Sequence, residues 1–511
     1  MKKVYKWNLT ALALLLACAG CGRFEDINTN PDTPTTSTAA MLATGQIKQI
    51  IGKPDGNQYF SDHAISKHIG WGELPWANQY NRFERYALSG YTTLTNTLKM
   101  VELAADIDKA AYQGLALFIK ACSALNMTLA LGDIPYSEAL QGETGITKPR
   151  YDTQKEVMLA ILNDLDEAYR YFSEANRAFE GDIIYGGDPA RWKIAIAAFE
   201  LKILLYLSRK ESDADLNVKQ RFARIVGERP LMTSNSDNFQ LVYGTLSSQI
   251  YPTHSTKNRF IPYPEMSNTV VDTLKKYGDR RLFYFAQPAR ARTDAGIQTD
   301  DWEAYAGIDP SLAYSDIGLL FTTGNISNVN LRFYELETCQ PTIKLGYAEQ
   351  NLILAEACLR GWIQGDAGEY YRRGIEASLR FTAEYTPDNP EYHHNMMITD
   401  DWIRTFLDDP ALQLVAGSDA FEANLNKIIT QKYLNSFMHD TYTSYYEYRR
   451  TGYPKLPVNP ATNMNTLPDR IPVRWMYDQR EYDYNRENVE AAVQRQFGGN
   501  DDVNERMWIL E

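Results

Sequence analysis

The sequence predicts a mostly α-helical fold, in which a scaffold of helical hairpins supports long irregular loops. Apolar residues recur at spacings of three and four along several segments, a period typical of amphipathic helices. Short turns that contain glycine or proline join these segments in pairs. Two long stretches, roughly 229–345 and 383–425, lack such a period and hold scattered aromatic residues. Loops of this length in a compact protein tend to carry function.

Residues 1–20 predict a lipoprotein export signal. Lys2, Lys3 and Lys6 form a basic start, Leu9–Ala17 is a short apolar run, and small residues lead directly into Cys21. The run is about half of the ~20 residues needed to span a bilayer, so it predicts a cleaved leader and not a membrane span. Cys21 is then the predicted lipidation site.

Two alternatives to this assignment stay open. Cys18 also follows a run of leucine and alanine, and the leader could be an ordinary secretory signal with two incidental cysteines. Cys21 is favoured because the polar mature chain begins directly after it. Residues 21–37 then form a lipidated tether that is polar and contains proline and threonine.

The chain is globular and acidic. Hydrophobic residues make up 44% of its 511 positions, enough for a large core, and the formal net charge is -13. Removal of the leader takes away three lysines and no acid, which makes the charge about -16. So acidic a protein is a poor candidate for binding nucleic acid.

The helical segments predict a repeat scaffold. Helices are expected from Ala39 onward and at about 92–106, 110–131, 150–173 and 190–208. The clearest repeat is residues 347–381, which form a helix, a turn and a second helix over thirty-five residues. This length matches the tetratricopeptide period of about 34 residues. We expect four such hairpins, the earlier ones within 92–172 and 190–227.

Cysteine and histidine usage does not indicate a metal site. Cys122 and Cys358 lie inside apolar helical patterns, and together with Cys339 they leave an odd number after lipidation. Buried free thiols are therefore expected in preference to a disulfide framework. No histidines have HExxH spacing, so no cofactor is predicted. The many loop acids leave structural calcium open, although no segment has the order of an EF-hand.

Catalytic motifs are also missing from the sequence. It contains no GxSxG elbow, no phosphate-binding glycine loop and no other recognisable nucleophile motif. A glycoside hydrolase would need two carboxyl groups across a sugar, and Asp300, Asp301, Glu335 and Glu337 are candidates. None of these pairs stands out among 65 acids, so a secreted hydrolase is the weaker alternative to a binding protein.

Aromatic residues are unusually frequent, with 34 tyrosines and 9 tryptophans. Exposed loop aromatics are costly unless they fold inward or meet a ligand. A sugar can lay its C–H face on an aromatic ring while amide side chains bond its hydroxyl groups. Packing in the core is the alternative for each ring taken singly. We expect ligand contacts from two stretches, with Trp71, Trp76, Asn78 and Tyr80 in the first and Trp302 and Tyr305 in the second.

Segments along the whole chain carry a resemblance to one family. They are 21–32, LALGDIPYSEAL (129–140), 182–209, KYGDRRL (276–282), 347–366, 370–381, 428–437, YEYRRTGYPKL (446–456) and 470–485. In this order, they make the chain similar, nearly end to end, to the SusD/RagB outer-membrane lipoproteins of Bacteroidetes. The order and the coverage carry the resemblance, and no single segment does.

The resemblance implies a single mostly helical domain over 38–511, with four tetratricopeptide-like hairpins that support a ligand-binding face. It implies a SusC-like TonB-dependent transporter as the partner and a position at the outer surface of the outer membrane. Glycan capture and delivery to this transporter is the expected function, and oligopeptide capture is the alternative. No site residue transfers, because the binding loops vary within the family. For segment 448–454 a structural role is expected, with Arg449 and Arg450 bonding carbonyls or acids.

Overall fold

The computed structural model describes residues 37–72, 77–257 and 264–511, and within these ranges the predicted mostly helical class is confirmed. The helices are α1 (Ala39–Ile51), α2 (Ser61–Ile65), α3 (Gly90–Leu103), α4 (Lys109–Leu131), α5 (Gln154–Glu174), α6 (Pro189–Tyr206), α7 (Val218–Glu228), α8 (Asn268–Tyr277), α9 (Leu282–Phe285), α10 (Arg290–Asp294), α11 (Tyr314–Thr323), α12 (Arg332–Glu335), α13 (Tyr347–Leu359), α14 (Ala367–Glu384), α15 (Pro390–His393), α16 (Asp400–Leu407), α17 (Phe421–Asn435), α18 (Tyr442–Thr451), α19 (Gln479–Tyr484) and α20 (Arg486–Phe497). The strands are β1 (Ile69–Trp71), β2 (Arg85–Tyr86), β3 (Phe239–Leu241), β4 (Pro264–Met266), β5 (Thr342–Leu345) and β6 (Met476–Tyr477).

Long helices pack pairwise into the predicted scaffold. Consecutive helices α3 to α6 contact each other in turn, α13 packs on α14, and α17 contacts α18. Helix α6 also contacts α13, which joins the early and late parts of the chain. Helix α4 is long and apolar enough to cross a membrane, but 78% of its most apolar window is buried inside the protein, so α4 is a core helix.

Local sequence explains where the scaffold helices begin and approach each other. Helix α5 starts after Thr153, whose hydroxyl and the carboxylate of Glu156 form a capping box. Helices α4 and α5 approach closely at Gly114, where an added Cβ would lie 2.8 Å from the ring of Phe172. That ring in turn stacks on the buried indole of Trp192, with 5.6 Å between their centroids. Small and aromatic residues thus alternate across this part of the core.

Short helices interrupt the two stretches that the sequence indicates as irregular. Helix α8 is capped by the Ser267 side chain and buries Val270, Val271 and Leu274 at helical spacing. Helix α16 is capped by Thr399 in the same way. Both helices have fewer than eleven residues, so their periods are too short to stand out from the surrounding loop sequence.

In the part of the chain that the structure describes, three two-stranded sheets connect the loop segments to one another. Antiparallel pairing of β1 with β4 sets Ile69 opposite Met266 and Trp71 opposite Pro264. Strands β2 and β6 pair in parallel, and β3 pairs antiparallel with β5. Each pair joins segments that are far apart in the sequence, so the loop architecture depends on long-range contacts.

Segment 448–454 makes the structural contacts that the resemblance implies. The Arg449 guanidinium donates to the carbonyl oxygens of Leu129 and Val473 at 2.8 and 2.6 Å. The Arg450 guanidinium is buried and binds Glu356 through two hydrogen bonds, at 2.5 and 2.7 Å. Burial alone would raise the pKa of the Glu356 carboxyl, but Arg450 and neighbouring cations outweigh it and hold that pKa well below its usual range.

The thiols agree in part with the expectation of buried free cysteines. Cys122 and Cys339 are buried and free, and Cys358 is free but only partly buried. Burial raises the pKa of both buried thiols to about 12, so they are unreactive at neutral pH.

Candidate functional site

The structure brings the two aromatic-rich stretches of the sequence together. The Tyr80 hydroxyl donates to the carbonyl oxygen of Leu312 at 2.9 Å, and the Gln79 side-chain amide donates to that of Pro310 at 3.1 Å. Gln79 is buried, and its amide oxygen accepts from the backbone N–H of Trp71 at 2.7 Å. These bonds fix the segment that carries Asn78 and Tyr80 against residues 308–314.

A third segment completes this surface, which we call the loop face and define as residues 77–86, 308–328 and 459–467. The backbone N–H of Met464 donates to the Tyr80 carbonyl at 2.7 Å. The Thr462 hydroxyl donates to the Ser311 carbonyl at 2.6 Å. Segment 459–467 could not be predicted to join this surface, because it is an asparagine-containing loop with no period of its own.

Lys67 supports the loop face from beneath. Its ammonium group is fully buried and donates to the Gln79 carbonyl at 2.6 Å and to the Asn81 side-chain oxygen at 2.8 Å. Burial lowers the pKa of Lys67 to about 7, against the weaker pull of Asp309 in the opposite direction. Burying a lysine ammonium group costs folding free energy when its two hydrogen-bond acceptors are uncharged. Lys67 is therefore an unusual residue to find beneath a loop surface.

The loop face presents rings and amides to solvent. Tyr314, at the start of α11, is 48% exposed, and the Tyr80 ring is half-buried. Asn78 is half-buried and Asn325 is exposed on the same face, while Met464 adds an exposed apolar side chain. A surface of this composition can stack a ring or an apolar strip of a ligand and bond its polar groups.

Trp71 and Tyr305 lie in the core, which differs from their expected place at the surface. Trp71 is 4% exposed in β1, with the Phe60 ring centroid 6.2 Å from its own. Tyr305 is fully buried against Phe283, and its hydroxyl donates to the Thr299 carbonyl at 2.8 Å. Neither ring offers a face to solvent, so in this conformation both stabilise the core beneath the loops.

Trp302 is half-buried and lies edge-to-face on Phe283, with 4.7 Å between the centroids. It begins a short turn that the Asp301 carboxylate caps. Phe283 contacts the rings of both Trp302 and Tyr305, and it thereby links Trp302 to α9. Trp76 and the predicted lipidation site Cys21 lie outside the described residues.

Glu265 in β4 lies under the loop face with an incomplete set of partners. Its carboxyl is fully buried, accepts from the Asn328 amide at 3.2 Å, and leaves its second oxygen unpaired. Burial raises its pKa well above the usual range for a glutamic acid.

Two of the four carboxylates considered for hydrolysis have roles in the fold. Asp301 caps the 302–304 turn, and Glu335 accepts from the Tyr392 hydroxyl at 3.1 Å. Across the described ranges, no group of three or more His, Cys, Asp or Glu side chains is arranged to hold a metal ion.

Comparisons with known proteins agree with the helical scaffold. A family model for SusD-like proteins, described as starch-binding and associating with the outer membrane, matches residues 36–478. This chain belongs to the SusD-like family. A search among curated proteins gave no significant match.

Solved structures include close SusD-like relatives. A SusD homolog from Bacteroides fragilis is 49% identical, with a TM-score of 0.90, and the match covers 93% of this chain and all of that one. A proposed outer membrane protein of Bacteroides vulgatus, with an inferred role in nutrient binding, is 34% identical with a TM-score of 0.84 and the same coverage. A chitin-binding protein at 22% identity and a TM-score of 0.72, covering 93% of this chain and 99% of that one, shares the fold.

The SusD-like family consists of outer-membrane-associated proteins that bind nutrients, and its members are binding proteins and not enzymes. Its helical scaffold is the one predicted from the hairpin pattern. The relatives thus confirm the resemblance that the sequence segments carry.

Proposed function

We propose that this protein is a lipid-anchored receptor at the cell surface, which captures glycans on the loop face and delivers them to a SusC-like TonB-dependent transporter. The observation that carries the proposal is the loop face itself. Tyr80 and Tyr314 offer ring faces there, and Asn78 and Asn325 supply hydrogen-bonding groups beside them. Membership of a starch-binding family supports a carbohydrate as the ligand class.

The proposal assigns a role to each part of the chain. Residues 1–20 are the export signal, 21–37 the lipidated tether, and 38–511 one binding domain. Anchoring at Cys21 keeps the receptor beside the transporter, and stable attachment needs more than one acyl chain. The half-buried Trp302 is proposed as a further contact, and Trp76 as another.

A polysaccharide panel tests this function. The mature protein is run through affinity gels that contain each glycan, and hits are confirmed by calorimetry. Tyr314→Ala should weaken binding at least tenfold, while Tyr484→Ala, which removes a more exposed ring from α19, should leave it unchanged. Binding of peptides and of no glycan would favour the oligopeptide alternative, in which the same amides bond a peptide backbone.

Anchoring and partnership are tested separately. Cys21→Ala should release the protein from the membrane fraction, and Cys18→Ala should not. Membrane retention of Cys21→Ala together with release of Cys18→Ala would move the anchor to Cys18. Co-purification of the anchored protein with a β-barrel transporter tests the partner, and recovery of the protein alone after crosslinking would contradict it.

A further inference from the structure

A cavity of about 430 Å³ lies between the start of α3, residues 135–149 and the end of α19. Its volume is within the range of roughly 300–1,000 Å³ that is common for small-molecule sites. Gly142, Thr147 and Tyr484 line it and are themselves exposed, so the cavity opens to solvent. Its lining residues lie outside the three segments of the loop face, so it is a separate candidate site.

Hydrogen bonds hold the walls of this cavity in place. The Tyr91 hydroxyl donates to the Pro135 carbonyl, and the Asn485 side-chain amide donates to the Pro149 carbonyl at 2.8 Å. Leu140 lines the cavity with a left-handed backbone, at a φ of 63°, which is rare for a bulky residue. Backbone strain of this kind is concentrated at sites that hold ligands. The cavity therefore has a defined shape before any ligand enters.

Apolar and aromatic side chains form most of the lining. They are Leu88, Tyr91, Pro135, Ala139, Leu140, Ile146, Pro149 and Tyr484. Tyr484 is 74% exposed, the highest fraction among the large hydrophobic side chains of the described ranges. A ring so exposed beside an apolar wall leaves surface that a ligand with an apolar body would cover.

The charge of the lining is negative. Among the residues that the structure describes, its charged members are two acids, Glu138 and Glu481. Glu138 is matched, because the Arg150 guanidinium lies 3.6 Å from its carboxylate. The Glu481 carboxylate accepts from the uncharged Tyr151 hydroxyl at 2.6 Å, and no cationic side chain within the described ranges lies within 4 Å of it. One unmatched carboxylate is therefore left beside the tyrosine rings.

We propose that this cavity binds a small organic ammonium compound with an apolar or aromatic body, with its ammonium group on the Glu481 carboxylate. The two groups would form a charge-assisted hydrogen bond. Tyr91 and Tyr484 line the cavity as well, and tyrosine rings attract cations at their faces. The leucine, isoleucine and proline side chains would cover the apolar body. An anion would meet two acids and is disfavoured.

Phenethylamine and 2-phenylethanol test the proposal, because they share a ring and a two-carbon chain and differ in the ammonium group. Calorimetry on the mature protein at pH 7 should show phenethylamine binding at least tenfold tighter than 2-phenylethanol. Glu481→Gln, which keeps an acceptor oxygen for the Tyr151 hydroxyl, should abolish that preference. Glu487→Gln, which removes an exposed acid of α20 outside the cavity, should keep it.

Location is tested with two ring variants. Tyr484→Ala should weaken phenethylamine binding at least threefold, and Tyr314→Ala, on the loop face, should leave it unchanged. The Tyr484 ring is largely exposed, so its removal should not disturb the fold, and this variant remains decisive if Glu481→Gln fails to fold.

Four outcomes would each overturn the proposal. They are equal affinity for the two probes, no binding of phenethylamine, an unchanged phenethylamine affinity in Glu481→Gln or Tyr484→Ala, and a loss of binding in Tyr314→Ala. Glycan capture is assayed with polysaccharides on the loop face, so failure here leaves that proposed function standing.

Discussion

Replacing Trp71 with alanine distinguishes a core residue from a ligand contact. The indole is 4% exposed and packs with Phe60 under the loop face. Removing a buried tryptophan costs about 3–5 kcal/mol, through lost burial and the cavity that remains. With an unfolding entropy of about 2.1 cal/mol/K per residue, 511 residues give roughly 1 kcal/mol/K, so Tm should fall by about 3–5 °C if the chain unfolds as one unit.

Scanning calorimetry of Trp71→Ala measures this shift, with Tyr314→Ala as the control. Tyr314 is 48% exposed, so its replacement should change the free energy of unfolding by no more than about 0.5 kcal/mol. An unchanged Tm in Trp71→Ala, together with lost glycan binding, would refute the reasoning. It would show that the indole leaves the core in solution and meets the ligand directly, as the sequence alone predicts.

Three further perturbations test the physical account of the scaffold and the loop support. The pKa of Lys67 is lowered to about 7 from an ordinary value of 10.5, so between these values the unfolded chain binds more protons and the free energy of unfolding rises with pH. Lys67→Met should flatten that rise in denaturant midpoints taken from pH 7 to 10, and a steeper rise would contradict the assignment. Arg450→Met should destabilise by about 3–5 kcal/mol in chemical denaturation, because it leaves the Glu356 carboxylate buried without its main partner. Double replacement of Arg450 and Glu356 by apolar residues should recover part of this loss, and no recovery would show that the pair is not coupled. Gly114→Ala should cost about 1–3 kcal/mol by the same assay, since its Cβ would lie 2.8 Å from the Phe172 ring, and a neutral effect would mean that α4 and α5 separate easily.

Helices with their own period and caps were predictable from sequence. The apolar run of α4 and the start of α5 at Thr153 are local signals, and the structure places both close to the expected residues. Short helices such as α8 and α16 were not predicted, because two or three turns give too little period to recognise. Hairpins therefore follow from local sequence, while the order inside the long loops does not.

The candidate site was predictable as a composition but not as a surface. Sequence singles out aromatic stretches near 71–80 and 302–305, yet it gives no means to tell Trp71, which is buried, from Tyr80, which is half-exposed. Burial depends on the β1–β4 pairing and on contacts between segments more than two hundred residues apart. Such contacts produce no recognisable periodic pattern of residues in either segment.

By itself, the sequence determined the helical class, the hairpin scaffold and the family, because local periodicity and ordered motifs are properties of neighbouring residues. Only the tertiary structure decided which rings are exposed, that segment 459–467 joins the loop face, and that Lys67 is buried beneath that face. Those facts depend on distances between residues remote in the chain, and such distances are set by packing of the whole core.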